Sequence, residues 1–158
     1  MSTVTLRVVT DADRDFILSV YGSTREDELA TTDWSSEQKS EFCRQQFEAQ
    51  DAHYRAHYPG ATYDLILADG VPAGRLYVDR WDREIRIMEI TLLPVTRGRG
   101  IGSALLRELQ EETRETGKLL SIHVERFNPA LTLYQRLGFT LAEDKGVYLL
   151  LHWRADPM

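Results

Sequence analysis

Leu92-Leu93-Pro94-Val95-Thr96-Arg97-Gly98-Arg99-Gly100-Ile101-Gly102 lies where one kind of hydrophobic pattern ends and another begins. Before it, residues 84–93 read as a strand with Ile85, Ile87, Ile90 and Leu92 as apolar positions, closed by Pro94. Strict alternation fails between Ile87 and Ile90, which predicts a bulge or splay there. From Gly100 to Thr116 the spacing is helical, with Ile101, Ala104, Leu105 and Leu109 on one face and Gly117 as the stop. Residues 119–125 return to strand periodicity through Leu120, Ile122 and Val124. Strand, turn, helix and strand in that order predict a βαβ crossover.

The turn itself predicts an anion site. Glycines at 98, 100 and 102 let the backbone bend sharply and approach a ligand without Cβ atoms in the way. The amides they expose stand at a helix N-terminus, whose partial charge is positive. Arg97 and Arg99 add forked donors suited to phosphate oxygens. A P-loop is excluded, because no Gly-Lys followed by Ser or Thr is present. The dinucleotide fingerprint G-x-G-x-x-G fails at Ser103 and Leu105. The alternative is a tight turn with surface arginines; three glycines and two arginines within six residues weigh against it.

Upstream, residues 3–9 read as a strand with Val4, Leu6 and Val8 on one face. Thr10 reads as a helix N-cap with Asp13 in the first turn, and Phe16, Ile17, Val20 and Tyr21 share the helix's apolar side. Residues 25–33 are polar, a helix end or loop. Ser35-Ser36-Glu37-Gln38 is a capping-box pattern opening a long helix that Pro59-Gly60 ends. Cys43, Phe47, Tyr54 and Tyr58 form its apolar stripe beside Gln46, Gln50, His53 and His57. Asp69-Gly70 between two apolar runs predicts a hairpin of residues 63–68 and 73–80. Downstream, Asn128-Pro129 reads as N-cap and first helical residue, with Ala130, Leu133, Tyr134 and Leu137 inward and Gly138 as the stop. Residues 139–141 and 147–153 close the chain as strands. The sum is a single α/β (α+β) domain over residues 1–158 with a mixed sheet.

Composition narrows the partners. A net charge of −6, from 19 basic and 25 acidic side chains, argues against nucleic acid. One cysteine, Cys43, permits no intrachain disulfide and fits a reducing compartment. Neither a leader peptide nor a run of membrane-spanning length is visible, so a cytoplasmic protein without membrane contact is expected. His53 and His57 are spaced like two metal ligands, but no third stands out, so no metal is expected. No G-x-S-x-G elbow supports a serine hydrolase.

Arg97, Gly100 and Gly102 fill the pattern Arg/Gln-x-x-Gly-x-Gly/Ala, which resembles the pyrophosphate motif of GNAT acetyltransferases. Asn128 to Phe139 is similar to the family's Asn-x-x-Ala-x-x-Leu-Tyr-x-x-x-Gly-Phe segment. The resemblance runs along nearly the whole chain, except residues 25–59, and implies an acyl-CoA N-acyltransferase fold with a mixed sheet of about seven strands and flanking helices. It implies acetyl-CoA as cosubstrate, with Arg97, Gly98, Arg99, Gly100, Ile101, Gly102 and Ser103 holding the pyrophosphate. Ile90, Thr91 and Leu92 would offer backbone groups to the pantetheine arm, and Asn128 would touch the same arm. Tyr134 would stand near the sulfur as general acid; the alternative is a core aromatic. Glu89, just before the splay, is the choice for general base, against the alternatives of an arginine's partner or a solvated residue. Arg86 occupies the position where the family often has an acid, so deprotonation by water stays open, with Glu125 and His123 in reserve. Three readings follow: acetyl transfer to a primary amine, of a small molecule or of a protein; an acyl-CoA-binding module without turnover; and a nucleotide-phosphate enzyme. Such families allow a homodimer, but no dimer seam is legible.

Overall fold

The computed structural model describes residues 3–155. Met1 and Ser2, on which the leader reading partly rests, lie outside the described residues. The strands are β1 (Val4–Val8), β2 (Thr62–Ala68), β3 (Val71–Arg80), β4 (Glu84–Leu92), β5 (Leu119–Glu125), β6 (Thr140–Asp144) and β7 (Tyr148–Trp153). The helices are α1 (Arg14–Ser23), α2 (Glu26–Ala30), α3 (Ser36–His57), α4 (Ile101–Thr116) and α5 (Leu131–Arg136). All seven strands form one sheet in the order β1-β2-β3-β4-β5-β7-β6. Among the described residues only the β4–β5 pairing is parallel, as a helical crossover requires.

Two apolar layers sandwich the sheet. One is centred on Ile85, Ile87, Leu120 and Ile122 with Ile101, Leu105, Leu106 and Leu109 of α4. The other joins Ile17 and Tyr21 of α1, Leu29 of α2, and Cys43 and Phe47 of α3 to Leu65 of β2. Cys43 is therefore core filler.

Local chemistry explains most boundaries. Ser35 Oγ accepts from the Gln38 amide at 3.1 Å while Gln38 Oε1 accepts from the Ser35 amide at 2.8 Å, completing the capping box of α3. Asp69 and Gly70 both have positive φ, 52° and 80°, the signature of a two-residue hairpin turn. A Cβ on Gly74 would lie 2.0 Å from the Thr91 carbonyl oxygen, so glycine lets β3 close on the end of β4.

The structure corrects four readings. Leu6 and Val8 are exposed, because β1 is an edge strand. Residues 26–30 form a short helix that buries Leu29. Ala104 is exposed and Leu106 takes its inward place. Finally, α5 starts at Leu131, with Ala130 rather than Asn128 as its cap. Asn128 instead closes a preceding turn, its Oδ1 accepting from the Ala130 amide at 2.9 Å. The chain has one residue fewer between Asn128 and Tyr134 than the segment it resembles.

Candidate active site

The site begins with a break in strand pairing. Register between β3 and β4 runs Tyr77↔Glu89, then Val78↔Ile87, so Met88 is an extra, bulged residue. A bulge bends its strand and increases local twist. Parallel pairing between β4 and β5 accordingly stops at Ile87↔Ile122. Beyond it β4 stays with β3 as far as Leu92, and β5 stays with β7 as far as Glu125. The two strands part in a V, and Ile90, Thr91 and Leu92 form the β4 side of the opening.

The glycine turn stands at the end of that V. After Leu92 the chain makes a single 3₁₀ turn at Pro94–Thr96, anchored by the Leu93 amide on the Ala73 carbonyl at 2.8 Å. Gly98 and Gly100 both adopt φ 77°, a left-handed conformation costly for any residue with a Cβ. Gly100 is the N-cap of α4 and no side chain among the described residues caps this helix, so its first-turn amides are placed to serve a ligand. Gly98, Arg99 and Gly100 are exposed, while the Ile101 side chain is buried in the core and leaves only its backbone to the turn. A Cβ on Gly102 would sit 3.8 Å from Leu92 Cδ1 and from Leu133 Cδ2, so α4 starts between the end of β4 and α5. Arg97 Nε donates to the Leu92 carbonyl at 3.2 Å, and Arg99 Nη2 lies 3.7 Å from Asp69 Oδ2 on the β2–β3 turn. Positive-φ glycines, an uncapped helix start and two guanidinium groups suit a diphosphate.

Glu89 is a half-buried carboxylate on the β4 side of the V. Thr91 Oγ1 donates to its Oε1 at 2.8 Å and Tyr54 Oη donates to its Oε2 at 3.1 Å. Arg75 Nη2 lies 3.8 Å from Oε1. The arginine-partner alternative is thus partly realised, with two hydroxyls added. Tyr134 is 4% exposed and packs edge-on against Phe139, yet it feels the charge of Glu89. Burial first, and that charge second, push its phenol well above the ordinary tyrosine range. No hydrogen-bond partner for the Tyr134 hydroxyl is found among the described residues. Asn128 stands exposed in the β5–α5 loop, its Oδ1 committed to its own turn.

Sequence reasoning missed Arg75. It is 1% exposed, flanked by the Phe47 and Tyr77 rings, and donates to Gln50 Oε1 at 2.9 Å. The only signal was an arginine inside an apolar strand. Of the reserve bases, His123 has both ring nitrogens facing cations, Arg86 Nη1 at 3.4 Å and Lys145 Nζ at 3.0 Å. Burial and those cations push its pKa down, and neither nitrogen is free to receive a proton from an amine. Arg86, where an acid was expected, is held by Ser121 Oγ at 2.7 Å and Glu84 Oε2 at 3.0 Å. His53 and His57 are exposed and stack at 4.3 Å. Among the described residues no group of three or more metal-ligating side chains gathers, and no helix is long and apolar enough to cross a membrane.

Comparison with known proteins places this geometry. Over 106 residues, 64% of this chain, the sequence is 35% identical to streptothricin acetyltransferase of Streptomyces lavendulae. The aligned part is 53% of that protein, so the chain spans about half the length of the curated relative it matches. The fold is similar to that of PaiA N-acetyltransferase from Thermoplasma acidophilum in complex with coenzyme A. That likeness has a TM-score of 0.73 at 16% identity and covers 97% of this chain and 99% of the other. It is also similar to yncA from Salmonella typhimurium, solved with its cofactor acetyl-CoA, with a TM-score of 0.59, 21% identity, and coverage of 99% and 96%. The model of the acetyltransferase (GNAT) family matches residues 26–139, well over half of the chain, and the chain belongs to that family.

Proposed function

We propose that this protein is a single-domain N-acetyltransferase that moves an acetyl group from acetyl-CoA to a primary amine of a small molecule. The observation that carries the proposal is the uncapped start of α4, with left-handed Gly98 and Gly100, set at the end of the β4–β5 opening whose β4 side carries Glu89. The family assignment supports the acetyl donor, and the streptothricin acetyltransferase likeness supports a small-molecule acceptor. The lone buried Cys43 supports a reducing, cytoplasmic setting.

Acetyl transfer to an amine needs a neutral nucleophile, although a lysine-like ammonium has a pKa of about 10.4. Bound acetyl-CoA supplies the acyl group as a thioester, whose C–S bond breaks as the C–N bond forms. Residues 97–103 hold the diphosphate through backbone amides, with Arg97 and Arg99 adding charge. Backbone groups of Ile90, Thr91 and Leu92, left without a β5 partner, receive the pantetheine arm and present an N–H to the carbonyl oxygen. Asn128 borders the same arm. Glu89 takes the acceptor's proton, directly or through water. Tyr134 enters the step protonated, because its pKa is raised, and its hydroxyl donates to the sulfur as charge develops there.

The test is CoA release from acetyl-CoA with streptothricin, spermidine, lysine and an N-terminal peptide amine as acceptors. Release with a small amine and not with the peptide supports the reading. Preference for the peptide assigns a protein acceptor. Binding of acetyl-CoA with no release on any amine favours the binding module, and tighter binding of ATP than of CoA removes the acetyl-CoA reading.

A further inference from the structure

We propose that Tyr54, on α3, is the positioning residue that aims the Glu89 carboxylate into the β4–β5 opening. The inference rests on the reading of Glu89 as the group that handles the acceptor's proton, and it names what holds that group in place.

Glu89 is pulled in two directions. Behind it lies Arg75, almost fully buried, whose Nη2 stands 3.8 Å from Glu89 Oε1, just beyond hydrogen-bonding distance. Arg75 Nη2 donates to Gln50, but its Nε is buried with no hydrogen-bond partner among the described residues. A buried guanidinium with an unspent donor attracts a nearby carboxylate strongly, because little solvent screens it. Thr91 Oγ1 holds the same oxygen, Oε1, from within β4, two residues away, and so leaves the rotation of the carboxylate undecided. The other oxygen, Oε2, is held only by Tyr54 Oη, at 3.1 Å, among the described residues. Tyr54 Oη also lies 3.3 Å from the carbonyl of Met88, the bulged residue that opens the V. One hydroxyl from α3 thus touches both the strand break and the free end of the carboxylate. Burial, then the charge of Glu89, push the Tyr54 phenol far above its ordinary range, so it stays a donor at every working pH.

Without that hydroxyl, Glu89 closes onto Arg75 and turns away from the acceptor. Tyr54→Phe tests this while keeping the ring and its edge-on contacts with Tyr58 and Tyr77. Crystal structures of the wild type and Y54F, without acceptor, are expected to show the Glu89–Arg75 contact shortening to about 3 Å in the variant. An unmoved Glu89 overturns the proposal. In steady-state assays with acetyl-CoA and the best amine of the panel above, Y54F is expected to lower kcat about tenfold, the weight of a hydrogen bond to a charged group. KM for acetyl-CoA stays unchanged. In a Glu89→Gln background the Y54F effect disappears, since both changes act through one group. If E89Q is impaired and Y54F multiplies with it, Tyr54 acts on the acceptor directly and the positioning role falls, while the Glu89 reading stands. If E89Q keeps full activity, the Glu89 reading itself falls.

Discussion

Gly100 occupies a backbone conformation that a side chain would strain, at the start of a helix that no side chain caps among the described residues. Replacing it with glutamate adds that strain and sets a carboxylate among the amides proposed to hold phosphate. Calorimetry with CoA is expected to show binding abolished in Gly100→Glu; unchanged affinity would remove residues 97–103 from the cofactor site. Tyr134 raises a different question, because its ring belongs to the core while its hydroxyl is the proposed proton donor. Tyr134→Phe keeps the packing on Phe139 and removes only the donor. Turnover should fall roughly a hundredfold, in the range of acid–base contributions, with the melting temperature nearly unchanged. A fully active Y134F would leave Tyr134 as a core aromatic and nothing more. Both residues were legible in the sequence, since a glycine's φ and a stripe position depend on near neighbours. Asn128 reads as a cap in the sequence, but in the structure it closes a turn ahead of the helix and Ala130 is the cap.

At the scale of elements, α3 reaches the candidate site from outside the β4–α4 segment. Its start is written locally in Ser35 and Gln38, and its far end delivers Gln50 and Tyr54 to the network around Glu89. Ser35→Ala removes one side of the capping box and should cost about 1 kcal/mol in urea unfolding. Because the cap lies far along α3 from Tyr54, KM for acetyl-CoA should not change; a large rise in KM would mean that the whole helix shifts when its start frays. The strand break at Met88 was also legible, because apolar alternation in β4 slips there. The length of the V was not. It depends on where β5 turns to pair with β7 instead, a choice made between distant segments.

For the molecule as a whole, the titrating groups predict a stability maximum near neutrality. Asp13, Glu112 and Asp144 are held below the usual carboxylate range, first by hydrogen bonds from Arg7, Arg80 and Arg126. Their folded forms bind protons less tightly than the unfolded chain. Their contribution is therefore complete above about pH 4 and is lost as the pH falls further. His123, depressed by burial and by Arg86 and Lys145, has the same sign, so its loss starts earlier, near about pH 6.5. Asp64, raised by burial, opposes the carboxylate trend. Burial raises Tyr54, Tyr77 and Tyr134, so stability also declines as the pH rises past about 10, where the unfolded tyrosines ionise. Urea midpoints measured across this range should trace the dome, and His123→Gln should erase the shoulder below about pH 6.5. A shoulder that survives the substitution would assign it elsewhere.

What the chain alone determined is the class of fold and the place of the glycine turn that opens α4. Those follow from short-range chemistry: glycines that accept positive φ, a helix that starts without a side-chain cap, and hydrophobic periods of two or 3.6 residues. What only the tertiary structure decided is the company Glu89 keeps. Arg75 and Tyr54 reach it from another strand and another layer, and Tyr54 is 35 residues away in sequence. Ion pairs and hydrogen bonds across such separations leave no periodic trace, because they depend on how the sheet twists and on which helix lies over it.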